Sequence, residues 1–257
     1  MNRPVSVVAV SLYSPAGIDV VGAGPGVAGP VPGFDPVAAG LPRKHLKTMT
    51  RAVQLGFAAV SRALAAYPQW AQVPPPRRGL YVGASPQSGD PEDLAAALGA
   101  MSAPTVGAFA ADAVPLIPPL WLVKGLSNNV LGYASAHHDL QGDNGNWCDG
   151  ALGGAVALCA AVHAVAEGRV DLAIAGGAES LLDADRVLGR PGGEGAAFFV
   201  LVAGSEGVPV RAGVPVVDVE EEGLGELGAA SIPVSLGRRW FRGERAFSGG
   251  GLTVGTS

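Results

Sequence analysis

The sequence predicts a three-layer α/β domain, in which a mostly parallel mixed sheet lies between helices on both faces. Helical patterns cover residues 43–66, where apolar residues recur at three- and four-residue spacing, and residues 151–166, a run of mostly small apolar residues. Alternation of such helices with buried strands indicates helices on both faces of a sheet. The strands are predicted from short, largely apolar runs: VSVVAV (5–10), LYV (80–82), VDLAIA (170–175) and AAFFVLV (196–202).

These patterns divide the chain into two parts. Residues 1–205 contain all the predicted strands and helices, and we expect them to form one domain. After Val219 the sequence is rich in glycine and loses its periodicity. We therefore expect residues 206–257 to form an irregular C-terminal extension.

The composition restricts the class of protein. Charged residues make up 15% of the 257 residues, against about 25% in an ordinary soluble domain. So few charges solvate a surface poorly, and we expect a large area to be buried against another subunit. The net charge of −5 argues against nucleic-acid binding, which requires clustered Lys and Arg.

Neither a membrane span nor a metal or cofactor site is expected. The apolar run at the N-terminus, residues 5–10, is too short for a signal peptide or a bilayer-spanning helix, so we expect a cytoplasmic protein. The only two cysteines, Cys148 and Cys159, have neither the spacing of a metal site nor that of a disulfide framework.

The segment DGALGG (149–154) predicts a sharp turn at the start of an apolar helix. Gly150 permits the turn, and the first N–H groups of a helix have no partner within it. Such a helix start stabilises an anion or a developing oxyanion. The side chain at the apex of this turn is the methyl group of Ala151.

Residues 128–181 resemble the β-ketoacyl synthases of the thiolase-like superfamily. That family has an Asn-x-x-x-Gly helix, a Gly-Pro-Asn turn, a cysteine nucleophile turn, an apolar helix and a strand ending in Gly-Gly-x-Glu. The resemblance spans most of residues 3–203 in the same order, and it implies the N-terminal half of a thiolase-like fold. The matching segments are Asn128 with Gly132, GDN (142–144), GALGG (150–154), GRVDLAIAGGAE (168–179) and GEGAAFFVLV (193–202).

Two departures from the family concern its catalytic residues. Ungapped alignment from Gly142 places Ala151 where the family has its acyl-accepting cysteine, and a methyl group cannot form a thioester. The family's two catalytic histidines also have no counterpart, because no histidine follows Ser205. The resemblance therefore implies a chain from an acyltransferase family that is inactive on its own.

The resemblance implies a chain-length-factor-type subunit that pairs with an active β-ketoacyl synthase in fatty-acid, polyketide or aryl-polyene-type synthesis. In such pairs, the strand before the nucleophile turn forms the interface, here Asn144, Gly145, Asn146, Trp147, Cys148 and Asp149. The acyl-tunnel candidates are Phe109, Leu116, Ile117, Leu120 and Trp121. An acidic acyl carrier protein would bind a basic surface, for which the candidates are Arg238, Arg239, Arg242 and Arg245.

Two other functions stay open. Cys148, in NWCDG (146–150), resembles a Gly-x-Cys-x-Gly nucleophile elbow, which would make the chain a free-standing acyl transferase or acyl hydrolase. Alternatively, the chain is a degenerate synthase that binds acyl chains or a carrier protein. The adjacent His137 and His138 diverge by about 100° on a helix, so we expect a solvated helix end there.

Overall fold

The computed structural model describes residues 2–20, 28–85, 92–182, 189, 191–217 and 227–255, and its strands form a single nine-stranded sheet. The strand order is β4-β3-β5-β6-β1-β7-β9-β8, with β2 paired to β1. The strands are β1 Val5–Ser14, β2 Gly17–Ile18, β3 Arg78–Gly83, β4 Asn144–Trp147, β5 Leu172–Ser180, β6 Glu194–Ala203, β7 Val208–Ala212, β8 Phe247–Gly249 and β9 Leu252–Val254.

The sheet is mixed, as the sequence predicts, but less of it is parallel than expected. Strand β3 pairs in parallel with β4 and with β5. The other described pairings are antiparallel, including those that join β6 to β5 and β1. Apolar runs identify strands that are buried on both faces, but they carry no information on strand direction.

The described helices differ greatly in length. They are α1 Arg43–Leu46, α2 Arg51–Ala65, α3 Glu92–Gly99, α4 Val106–Ala108, α5 Trp121–Lys124, α6 Asn129–His138, α7 Ala151–Ala166 and α8 Ser231–Phe241. Thr50 caps α2, because its hydroxyl oxygen accepts a hydrogen bond from the Val53 amide at 3.4 Å. No helix among these residues is both long and apolar enough to cross a bilayer.

Helices cover both faces of the sheet, which confirms the three-layer α/β architecture. Successive residues of β6 point to opposite faces. Phe198 packs under α2 and α6, whereas Phe199 packs under α7 and α8. Each of these two rings is almost fully buried, and burying one stabilises the fold by about 1.5–3 kcal/mol.

The C-terminal segment corrects the prediction of an irregular extension. Its described residues form β7, α8, β8 and β9, and they pack over the second face of α7. Ile232 and Leu236 of α8 are fully buried, and the Cys159 thiol of α7 donates a hydrogen bond to the Gly250 carbonyl at 3.6 Å. Burial raises the pKa of that thiol to about 11. A helix that is apolar all round needs cover on every side, and this segment supplies it.

Candidate functional site

The turn before α7 has a backbone conformation that requires glycine. Gly150 has φ 54° and ψ −133°, a region that residues with a Cβ rarely adopt. The Leu152 amide donates to the Asp149 carbonyl at 3.2 Å, and the Gly153 amide donates to the Gly150 carbonyl at 3.0 Å. These two amides are bonded within the turn, so the expectation of free N–H groups at the helix start is wrong for them.

Three glycines let four segments meet at this turn. A Cβ on Gly83, at the end of β3, would collide with the backbone of Gly154 in α7. A Cβ on Gly154 or on Gly177 of β5 would collide with the carbonyl oxygen of Ala229. The start of the C-terminal helical segment therefore lies directly against the turn.

Glu179, in the Gly-Gly-x-Glu motif, contacts three of the segments that surround the turn. Its side chain is buried, and its carboxylate accepts hydrogen bonds from the Ser180 amide at 3.1 Å and from the Ser85 hydroxyl. Its carboxylate also lies against the backbone of Gly228, where an added Cβ would be 2.9 Å from Oε2. Glu179 therefore holds together the loop after β3, the end of β5 and the segment before α8.

The site contains no nucleophile at the apex of the turn. Ala151 is half-buried there and offers only a methyl group. Cys148 lies three residues earlier, after the end of β4, and among the described residues its Sγ has one hydrogen-bond partner, the Asn146 amide at 3.4 Å. No hydrogen bond among the described residues joins Cys148 to a histidine or a carboxylate, so the described residues hold no general base in hydrogen-bond contact with this thiol.

The predicted interface residues lie on and after β4, which is an edge strand of the sheet. Trp147 is half-buried and its ring stacks on Tyr81, with centroids 6.3 Å apart and planes 14° apart. Gly145 is required beside it, because a Cβ there would collide with the indole. The Oδ1 atom of Asn146 is buried and has no hydrogen-bond donor. Among the described strands, β4 pairs only with β3, so its other side and the half-buried Trp147 ring form this edge of the sheet.

The five tunnel candidates lie on a surface of short helical segments, residues 98–126, which we call the apolar cap. Most large exposed apolar side chains of the described chain belong to it, including Val106 at 86% exposure and Leu122 at 70%. Among the candidates, Phe109, Leu116 and Leu120 are exposed. The indole N–H of Trp121 is buried without an acceptor. None of these five residues lines the cavity found among the described residues.

The four arginine candidates lie at the far end of α8 from the turn. Helix α8 begins two residues after Ala229 and has 11 residues, so it is about 16 Å long. Gly237, near its C-terminal end, packs against Ala197 and Val10 of the sheet. Arg238 is only 3% exposed, so its assignment as a docking residue is wrong. Arg239 pairs with Glu244 at 2.8 Å, whereas Arg242 and Arg245 are exposed.

One cavity lies outside all of the predicted sites. It has a volume of about 480 Å³ and lies between α1, α2 and α6. His137 lines it, whereas His138 is held by Ser61, whose Oγ is 2.8 Å from Nε2. Desolvation, and secondarily His137, lower the pKa of His138 to about 4. His137 is exposed at this helix end, as expected, whereas His138 is half-buried because its ring packs against those of Phe57 and Trp70.

Comparison with known proteins identifies the family. The family of the β-ketoacyl synthase N-terminal domain matches residues 12–191, and the chain belongs to it. No curated protein matches the sequence.

Solved structures show the same thiolase-like fold at low identity. The ishigamide ketosynthase/chain length factor has a TM-score of 0.68 and 18% identity, with 98% of both chains covered. A β-ketoacyl synthase from Burkholderia phymatum STM815 has a TM-score of 0.64 and 16% identity, and the match covers 95% of this chain and 86% of that one. A third structure has a TM-score of 0.63 and 18% identity. It is a type II PKS acyl-carrier protein in complex with its ketosynthase bound to the hexaketide (AntDE:AntF, apo). In that pair, 78% of this chain matches, and the chain spans 62% of its relative.

Proposed function

We propose that this chain is a non-catalytic, chain-length-factor-type subunit that forms a heterodimer with an active β-ketoacyl synthase. The pair would extend acyl chains delivered by an acyl carrier protein, in polyketide-type synthesis. The observation that carries the proposal is Ala151, which occupies the first position of α7, where the family has its nucleophile. A chain with a methyl group there cannot hold the acyl group as a thioester.

The surface of the chain supports pairing with another subunit. Strand β4 leaves one row of backbone N–H and C=O groups at the sheet edge, and such an edge pairs readily with a strand from another chain. Trp147, on this edge strand, is only half-buried, so part of its indole is available for contact with a partner. The apolar cap adds side chains that lose contact with water on association.

The ishigamide neighbour supports a heterodimer in particular. Since 98% of both chains is covered, the matched chain has nearly the length of this one. That neighbour is described as a ketosynthase/chain length factor. A chain of this length and fold therefore occurs in an assembly of the proposed kind.

Co-expression with the β-ketoacyl synthase encoded nearest to this chain tests the proposal. We expect a one-to-one complex that condenses acyl units from an acylated carrier protein. Replacing the partner's nucleophile should abolish condensation, whereas Cys148→Ser in this chain should leave it unchanged. Condensation by this chain alone, or an acyl thioester on either of its cysteines, would overturn the proposal.

A further inference from the structure

One face of α6 lines a cavity. Asn129, Gly132, Tyr133, Ala136 and His137 all line the 480 Å³ cavity, and their spacing of three and four residues places them along a single side of the helix. Pro42, His45 and Phe57 complete its lining. Its volume is within the range of small-molecule sites, about 300–1,000 Å³. This face lies outside the turn, the β4 edge and the apolar cap.

Hydrogen bonds hold the walls of this cavity in place. The Tyr133 hydroxyl donates to Thr48 Oγ1 at 2.6 Å, and the Thr48 hydroxyl donates to the His45 carbonyl at 2.8 Å. The Tyr133 ring lies 5.4 Å from the His45 ring. On the other side, Phe57 packs against His137 at 5.1 Å. A cavity with fixed walls binds a ligand without first ordering its side chains.

The lining selects a chemical class of ligand. Four rings line it, from His45, Phe57, Tyr133 and His137, and such rings favour a flat partner that stacks or meets them edge-on. None of the described residues that line the cavity carries a carboxylate. The described hydrogen bonds leave the ring nitrogens of His45 and His137 unused. The exposed Arg43 and Lys44 precede His45 in the sequence and supply positive charge near the cavity, in a chain with a net charge of −5.

We propose that this cavity binds a small planar anion, such as an aromatic or α,β-unsaturated carboxylate. The ligand's flat body would lie among the four rings, and its carboxylate would accept hydrogen bonds from the two imidazoles. None of the lining residues belongs to β4 or to the apolar cap, although the Asn129 side-chain amide donates to the Val123 and Lys124 carbonyls of the cap at 2.7 and 3.2 Å. The binding test uses this chain alone, so its outcome does not require the heterodimer.

Gly132 offers a test that leaves the fold intact. Gly132 lines the cavity and an added Cβ there meets no atom within 4 Å, so Gly132→Leu adds a bulky side chain at the cavity from a position with room for its Cβ. Ala65→Leu is the matched control, since Ala65 is exposed on α2 and does not line the cavity. The probe is cinnamate, compared with neutral cinnamamide and with flexible hexanoate. Calorimetry measures binding, and NMR follows the imidazole signals.

We expect cinnamate to bind saturably and to shift the signals of His45 and His137, while exposed His163 on α7 is unmoved. Gly132→Leu should weaken binding at least tenfold, and Ala65→Leu should leave it unchanged. Cinnamamide and hexanoate should each bind at least tenfold more weakly than cinnamate. Absence of cinnamate binding, equal binding by the Gly132→Leu variant, or equal binding of all three probes would overturn the proposal.

Discussion

The carbonyl oxygen of Ala229 occupies the space that a side chain on Gly154 would fill. The ring of Pro233 lies against the same position. The contact joins the helix start of the candidate site to the C-terminal segment, and only a glycine permits it.

Gly154→Ala is therefore expected to destabilise the chain. The added methyl group must displace backbone at Ala229 and the Pro233 ring, and overpacking of this kind costs about 1–3 kcal/mol. The free energy of unfolding from urea titration measures the effect. Gly132→Ala is the control, because its Cβ enters open space on a helix and should raise stability by about 0.5–1 kcal/mol. Equal effects of the two substitutions would contradict the packing described.

Acid should weaken the chain through Asp171. Its carboxylate accepts hydrogen bonds from Arg77 at 2.8 and 2.9 Å and from Arg3 at 2.8 Å. The hydrogen bonds from Arg77, with a smaller contribution from Arg3, hold the pKa of Asp171 well below its usual range.

An unfolded Asp has a pKa near 3.9. As the pH falls, Asp171 is therefore protonated in the unfolded chain before it is protonated in the folded chain. The stability from these pairs is thus present above about pH 5 and is lost as the pH falls below about 4. We expect Asp171→Asn to be less stable than wild type at neutral pH and to lose less stability on acidification. Urea midpoints across this range measure both effects. An unchanged acid dependence would show that these pairs contribute nothing.

His138 should titrate well below an unfolded histidine. Desolvation lowers its folded-state pKa to about 4, whereas an unfolded histidine titrates near 6.5. Because the unfolded chain binds this proton first, the contribution to stability is complete above about pH 6.5 and is lost as the pH falls towards 4. An NMR titration of the His138 imidazole signals measures the midpoint. A midpoint near the unfolded value of about 6.5 would refute the desolvation of His138.

Leu122 should matter for association and not for folding. It is 70% exposed in the apolar cap, so Leu122→Asp should change the free energy of unfolding of the isolated chain by less than about 0.5 kcal/mol. If the cap is a pairing surface, the same change should weaken the heterodimer at least tenfold. Val214→Asp, at a residue 78% exposed outside the cap, is the control. Sedimentation equilibrium measures the dissociation constant, and a cap variant that pairs as well as this control would contradict the assignment.

The sequence predicts the layers of this fold better than its C-terminal part. Strand β6 and helices α2 and α7 are long, and their apolar periodicity follows directly from burial. Strands β8 and β9 have three residues each and are separated by glycines, so they have no periodicity to detect. The segment SIPVSLGRRWF forms α8. Its proline and two adjacent arginines do not indicate a buried helix, so neither α8 nor the burial of Arg238 could be predicted from the sequence.

The same contrast holds for the site. A local motif identifies the turn at Gly150 and the methyl group of Ala151. The contact of Ala229 with Gly154 joins residues 75 positions apart, and no local pattern encodes it. The cavity beside α6 brings together His45 and His137 from distant segments, so their common surroundings are visible only in the folded chain.

The burial of α7 on both sides sets the order in which the chain can fold during synthesis. The ribosome completes residue 166 long before it adds Leu252, whose strand closes the second face of that helix. Until then the nascent polypeptide carries an apolar helix with one side open to water. A chain that stopped short of Leu252 would therefore leave apolar surface of α7 exposed to water, and such surface promotes aggregation.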